Sequence, residues 1–302
     1  MIQVLGGKQD PLAFAKMAGG GNDFVLIDDR EGRVTAAPEL TRRICTRRLS
    51  VGADGLILIH DSTRASFAIR YYNADGSLGE FCGNGTRCAA RFAQVSGIAG
   101  PAMTIETDAG LVSAEVAEDG RVSISLPPPR AFRAERPLLA GSTAVSGSSI
   151  TVGVPHYVLF LEGELWEQPI EPLGRFIRNH PDMQPAGTNV NFVVVRDGRS
   201  LEVRTYERGV EAETLSCGSG VVASVAVGTL LGKVRPPVSV LTRSGITLEV
   251  AMTSEGGELR DIRLTGDARL IYRAALTPDT VEGFDPDFLR HPSGAELKAS
   301  SQ

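Results

Sequence analysis

Asn73-Ala-Asp-Gly-Ser-Leu-Gly-Glu-Phe-Cys82-Gly-Asn-Gly-Thr-Arg-Cys88-Ala-Ala-Arg-Phe92 and Tyr206-Glu-Arg-Gly-Val-Glu-Ala-Glu-Thr-Leu-Ser-Cys217-Gly-Ser-Gly-Val-Val-Ala-Ser224 decide how this chain is read. In both stretches a cysteine is followed by Gly-x-Gly and then by an Ala/Val/Arg-rich helical pattern. A thiol at a helix N-terminus meets unpaired amides and the positive end of the helix dipole, so its pKa is expected to fall. The glycines let backbone N–H groups come close to a bound anion. One such site suggests a nucleophile. Two matched sites suggest a pair of thiols acting on opposite faces of one small molecule.

The chain has 302 residues, which is long for one core and points to two domains. Its 34 glycines imply many tight turns, and a net charge of −5 argues against a nucleic-acid surface. Arg42, Arg43, Arg47 and Arg48 fall at helical spacing and read as a solvated helix face. No apolar run reaches the roughly 20 residues that cross a bilayer. The first residues lack the basic start and apolar stretch of a secretion signal, so a cytoplasmic protein without membrane or nucleic-acid partners is expected. Cysteines 45, 82, 88 and 217 form no C-x-x-C pair and are expected to be free thiols.

Working outward, residues 14–28 read as a strand carrying a glycine loop, and 37–49 as a helix with Leu40, Ile44 and Leu49 on one side. Residues 55–59 and 67–72 read as buried strands, and the Cys82 helix ends near Gly97. Strands follow at 103–107, 111–116 and 121–126, before Pro127-Pro128-Pro129 marks a domain crossing. The plan then repeats: strands within 149–160, a helix at 172–179, strands at 191–196 and 201–206, the Cys217 helix, and strands at 238–242, 247–252 and 259–265. C-G-N-G and C-G-S-G mark equivalent points, and Phe24-Val against Phe192-Val suggests another. Two pseudo-symmetric lobes would set their helix N-termini facing each other across a cleft. The tail beyond about 275 reads as peripheral.

A carboxylate held between two such helix starts would touch the amides of Gly83, Asn84, Gly218 and Ser219, with its α-carbon between two sulfurs. One thiolate can take the α-proton while the other thiol returns one from the opposite face, which inverts the centre. The developing enediolate charge lands on the oxygens that the amides already hold. Such chemistry requires neither metal nor cofactor. Cys45 and Cys88 read instead as small core hydrophobes. Two cysteines plus His156 as a metal site lack zinc-binding spacing. Asn22, Asn73 and Asn189 lie in turn-like segments and could serve either turns or substrate. Glu207-Arg208 could be a surface ion pair, or could suit the ammonium and carboxylate of an amino acid. His156 could be a core histidine, or could share a proton with a thiol.

At these residues the chain resembles the diaminopimelate epimerases. The matching segments are G-N-D-F-V-L-I-D (21–28), G-A-D-G-L-I-L-I (52–59), N-A-D-G-S (73–77), C-G-N-G-T-R-C (82–88), G-V-P-H-Y-V (153–158), G-T-N-V-N-F-V (187–193) and Y-E-R-G-V-E-A-E-T-L-S-C-G-S-G (206–220). The resemblance implies an α/β (α+β) fold of two pseudo-symmetric lobes, each a curved mixed sheet around a central helix. The lobes would be 1–127 with 266–302, and 128–265, with the active site in the cleft between them. It implies interconversion of LL- and meso-diaminopimelate in lysine and cell-wall precursor synthesis, with no cofactor and no metal. By position it makes Cys82 and Cys217 the acid/base thiols, with His156 and Glu207 tuning them. It makes Gly83, Asn84, Gly218 and Ser219 the carboxylate cradle, and gives the rest of the substrate to Asn22, Asn73, Asn189, Glu207 and Arg208. A homodimer is implied, with Tyr272 near its contact. Two departures stand out: Val154 where many relatives have Asn, and Gly55 where some have Gln. They leave open a racemase of another amino acid on the same scaffold. A thiol-based redox or metal-binding protein, and an isomerase using one carboxylate, are further alternatives.

Overall fold

The computed structural model describes residues 11–79, 81–140 and 143–288. The leader reading of residues 1–10 and the far end of the tail lie outside them. The chain opens with the hairpin β1 (Ala13–Gly19) and β2 (Asn22–Asp28), turned at Gly20 and Gly21, whose φ values are 61° and 94°. Helix α1 (Ala37–Ile44) crosses to β3 (Gly55–His60), which lies parallel to β2. Antiparallel β4 (Phe67–Asn73) and the short β5 (Leu78–Gly79) lead to α2 (Gly83–Val95). After α2 come β6 (Ala102–Thr107), parallel to β4, then β7 (Gly110–Val116) and β8 (Val122–Ser125).

The second half repeats this plan. β9 (Arg130–Ala140) pairs with β10 (Thr143–Val152), which pairs with β11 (Val154–Phe160). Helix α3 (Ile170–Asn179) crosses to the parallel β12 (Asn189–Asp197). Antiparallel β13 (Ser200–Glu207) and β14 (Ala212–Thr214) lead to α4 (Gly218–Leu230). β15 (Val238–Thr242) runs parallel to β13, and β16 (Thr247–Glu255) and β17 (Glu258–Gly266) complete the set. β18 (Arg269–Ala275) returns to β1, while β17 pairs with β8, so the two halves share one sheet system.

Each half has an outer and an inner helix because its parallel strands are apolar on both faces. Phe24, Leu26, Ile57 and Ile59 face the core around α2, whereas Val25, Ile27, Leu56 and Leu58 pack with Leu40 and Ile44 of α1. In the second half Val158 and Val193 share the core with Val221 and Val225 of α4, and Val190, Phe192 and Val194 meet Ile170 and Ile177 of α3. In α4 every residue from Gly220 to Gly228 is buried. A helix apolar on all sides is enclosed.

Two expectations are corrected here. The first helix ends at Ile44, not 49, because Gly52 N–H and Ala53 N–H close onto the Ile44 and Cys45 carbonyls at 2.8 and 3.2 Å. Arg48 adopts φ 74°, which no helix continues, and Leu49 is exposed. Phe24 and Phe192 are not equivalents: Phe24 lies on β2, whose counterpart is β11, and Phe192 lies on β12, whose counterpart is β3. The pairing registers instead match Tyr72, opposite Leu56, with Tyr206, opposite Val190. Between Gly266 and the tail beyond about 275, β18 adds a strand for which no element was expected. Its seven residues are all exposed, so it carries no burial alternation to read.

Candidate active site

Cys82 and Cys217 occupy the same structural place. Each is the N-cap of an inner helix, with φ/ψ of −137°/106° and −120°/106°. The Cys82 sulfur accepts the Gly85 N–H at 3.4 Å, while the Cys217 sulfur lies 3.5 Å from Ser219 Oγ. The two helix starts converge on Leu264 of β17. A methyl group placed on Gly83 would stand 3.7 Å from Leu264 Cδ2, and one on Gly218 3.2 Å from that atom and 3.8 Å from Asn84 Oδ1. The glycine turn of the first hairpin reaches both halves. A side chain on Gly20 would strike the Asn84 amide, and one on Gly21 would meet Leu215 Cβ at 2.9 Å and Ser244 Cβ at 3.1 Å. Glycine at 20 and 21 is what lets the turn sit there.

The thiols titrate high, against the expectation from helix position. Burial pushes Cys82 up to about 11; the Gly85 N–H opposes it, the Glu207 carboxylate adds to it, and Arg87 and the Asn84 N–H pull down. Burial pushes Cys217 up to about 12, with Glu207 adding to it, Ser219 and the Gly220 N–H opposing, and Cys82 raising it further. Desolvation of a sulfur anion outweighs two or three amide dipoles. Glu207 thus acts on both thiols, and Cys82 acts on Cys217. The carboxyl of Glu207 is itself raised by burial, with Thr214 pulling the other way.

His156 is buried on β11, and burial drives its pKa down to about 3; the Val152 carbonyl opposes this and Arg208 reinforces it. It is therefore a neutral imidazole near neutral pH. Its Nδ1 lies 3.2 Å from Asn191 Nδ2, and its Nε2 has no partner among the described residues. Asn191, which sequence reasoning passed over, also donates from Nδ2 to the Tyr157 carbonyl and accepts from Thr205 Oγ1 at 3.0 Å. A side chain on Gly220 would overlap Asn191 Oδ1, so the second glycine of C-G-S-G makes room for this amide.

The other expected residues have partners of their own. Asn22 Nδ2 donates to Asp54 Oδ2 at 2.9 Å, and its Oδ1 accepts from Asn84 Nδ2 at 2.8 Å. Asn73 donates to Ser77 Oγ at 3.0 Å within its own turn. Asn189 is buried, faces His156 across the parallel pair, and accepts the Arg208 N–H at 2.8 Å. The Arg208 guanidinium donates to the Ala186 carbonyl, while Glu207 sits by Thr214, so the two do not form the surface pair considered above. Tyr71 was missed. A side chain on Gly55 would meet the Tyr71 ring at 2.6 Å, and one on Gly79 would overlap it. That ring borders the Cys82 cavity with Ile57, Phe81, Thr86 and Asp108. The signal was in the sequence: two glycines with no turn to explain them, at 55 and 79. Among the described residues, no group of three His, Cys, Asp or Glu could hold a metal ion, and no helix is long and apolar enough to cross a membrane.

Comparison with solved structures places this architecture. A hydroxyproline epimerase from Agrobacterium vitis superposes with a TM-score of 0.66 at 19% identity, covering 93% of this chain and 97% of its own. A PhzF-family phenazine biosynthesis protein from Bacillus anthracis gives 0.65 at 15%, covering 89% and 100%. The chain therefore has the two-lobed fold shared by epimerases, racemases and PhzF-type proteins. The diaminopimelate epimerase family matches residues 14–130 and 148–271. The diaminopimelate epimerase of Aquifex aeolicus (strain VF5) is 42% identical over 283 residues, 90% of this chain and 100% of the relative. That of Archaeoglobus fulgidus is 40% identical over 282 residues, 88% and 96% of the two. This chain belongs to the diaminopimelate epimerase family and is an isomerase.

Proposed function

We propose that the chain interconverts LL- and meso-diaminopimelate, with Cys82 and Cys217 as the two acid/base groups. The reading is carried by one observation: two cysteines cap two converging inner helices with matching backbone geometry and share the field of Glu207. A substrate α-carboxylate between the helix starts takes N–H donors from Gly83 and Asn84 on one side, Gly218 and Ser219 on the other. One sulfur, as thiolate, removes the α-proton, and the charge passes to the carboxylate oxygens as an enediolate. The opposite thiol then delivers its own proton to the other face. The pair ends with the proton moved from one sulfur to the other, so no outside acid or base is needed within a turnover.

A buried thiolate is a strong base, which suits a weakly acidic α-carbon. Fixed amides aimed at the oxygens where charge develops lower the barrier further. Neutral His156 and the carboxyl of Glu207 tune the thiols. Asn22, Asn73, Asn189, Glu207 and Arg208 hold the rest of the substrate, and a site built to hydrogen-bond a second amino-acid head group rejects analogues lacking it. Exposed Leu270, Ile271 and Tyr272 on β18 support a contact between two copies of the chain there. The reading includes a cytoplasmic enzyme of lysine and cell-wall precursor synthesis.

The test is α-proton exchange in deuterated water with diaminopimelate, histidine, glutamate and proline. Exchange with diaminopimelate alone is expected. Exchange with another of these but not with diaminopimelate would instead establish a racemase of different specificity. Val154 and Gly55, where the family resemblance would put polar side chains, are the positions that bear on that second reading, and the Tyr71 ring fills the space over Gly55.

A further inference from the structure

Arg87 is wholly enclosed, at 0% exposure, in the first turns of α2. Side chains of a helix lean toward its N-terminus, so the guanidinium of Arg87 reaches back to the capping end. Its Nη2 donates to Asn84 Oδ1 at 2.8 Å and its Nε to the Asp267 carbonyl at 3.3 Å. Its Nη1 has no partner among the described residues, and no carboxylate there lies within ion-pair distance of it. The Asp267 carboxylate, itself paired with Arg269 at 3.1 Å, favours the charged form from beyond ion-pair distance, and a buried cation so weakly matched is expensive and persists where a nearby charge makes use of it. The matching position in α4, five residues after Cys217, is the buried Val222. The two thiols are alike in backbone and unlike in this one neighbour.

We propose that Arg87 is a positioning residue that makes Cys82, rather than Cys217, the sulfur of the pair that gives up its proton more readily. The proposal rests on the reading that these two sulfurs exchange the substrate's α-proton. The groups facing Cys82 are Arg87, Glu207, Cys217, Cys88 and Tyr71, with Asp108 on its cavity wall. Those acting on Cys217 are Glu207 and Cys82. Glu207 is common to both sulfurs and disfavours either anion. Arg87 is the one cation among these groups, and it stands on the Cys82 side. The ordering of the thiols, about 11 for Cys82 and about 12 for Cys217, runs in the same sense. Arg87 also sets the Asn84 amide. By donating to Asn84 Oδ1 it turns Nδ2 toward Asn22 Oδ1, which fixes both amides beside the site.

The experiment follows iodoacetamide modification of each cysteine in the full chain across pH, resolved by peptide mass mapping. In the unsubstituted protein the pH midpoint for Cys82 should lie about one unit below that for Cys217. Arg87→Met should raise the Cys82 midpoint by about one unit, tenfold less thiolate at a given pH, and leave Cys217 in place. Arg87→Lys, which keeps the charge, should restore most of the shift. A merely structural role would move both cysteines together. A Cys217 midpoint at or below that of Cys82 in the unsubstituted protein overturns the proposal, and this arm decides even if Arg87→Met does not fold. So does an unmoved Cys82 midpoint in folded Arg87→Met. Failure of the underlying reading looks different: turnover would survive Cys82→Ala or Cys217→Ala while the order of the midpoints stayed intact.

Discussion

In the first half, Cys82 caps α2 through its sulfur, and the polar support behind it comes from the helix itself, through Asn84 and Arg87. In the second half, the Cys217 sulfur meets Ser219 Oγ and the Gly220 N–H, α4 behind it carries no charged side chain, and the buried polar network against Gly220 comes from the sheet, through His156, Asn191 and Thr205. Two cysteines in the same backbone setting thus stand in different fields. In a two-base reaction that difference biases which sulfur is the base for a given epimer. When the α-proton is taken, one sulfur must hold a proton and the other must not, and identical surroundings would favour neither.

The sharpest way to break the comparison is to remove either sulfur. Cys82→Ala and Cys217→Ala should each lower epimerisation by about 10³-fold or more, as loss of a proton-transfer group does. If one variant kept turnover, the halves would not be working as a pair. Next in size is a pair of glycines three residues after each cysteine. Gly220→Ala forces a methyl onto Asn191 and to 3.2 Å from Thr205 Oγ1, whereas Gly85→Ala meets a movable Ile57 Cδ1 at 3.0 Å. Urea unfolding should show about 1–3 kcal/mol lost for Gly220→Ala and under about 1 kcal/mol for Gly85→Ala. Equal losses would mean that the sheet-side network does not constrain α4.

Acid should single out the second half. His156 is held at about 3 when folded, against an ordinary value near 6.5, so the unfolded chain takes up the proton first. Its share of stability is complete above about pH 6.5 and falls as the pH drops toward 3, by at most about 1.4 kcal/mol per pH unit. Urea midpoints measured from pH 7 down to 4.5 should show this slope, and His156→Gln should flatten it. The smallest effect expected is that of Ser219→Ala. Removing the hydroxyl 3.5 Å from the Cys217 sulfur should raise that thiol's modification midpoint by only a few tenths of a unit, with Cys82 unchanged.

Much of this arrangement could be read from the chain. C-G-N-G and C-G-S-G announced both caps, and the apolar runs within 14–28 and 55–59 announced strands, which the structure pairs in parallel and covers on two faces. What stayed hidden has physical causes. Helix position implied depressed thiols, but burial, a property of the whole fold, pushed them up. Arg87 went unread because no local pattern says which helix faces are closed by strands from the other end of the chain. Asn191 lies two residues past Asn189 on the same strand face, yet its partners on β11 and β13 come into view only with the register. The family likeness named the cysteines, but it did not show that they are supported from opposite sides, one by helix and one by sheet.

β18 has a consequence for how the protein comes into being. A ribosome releases the first half long before residue 269, so β1 waits with one edge uncovered and β8 waits for β17. Unpaired strand edges invite other chains. The nascent protein is therefore exposed to aggregation until synthesis is nearly finished, and a chain stopped after Gly266 would leave a sticky fragment, not a smaller enzyme.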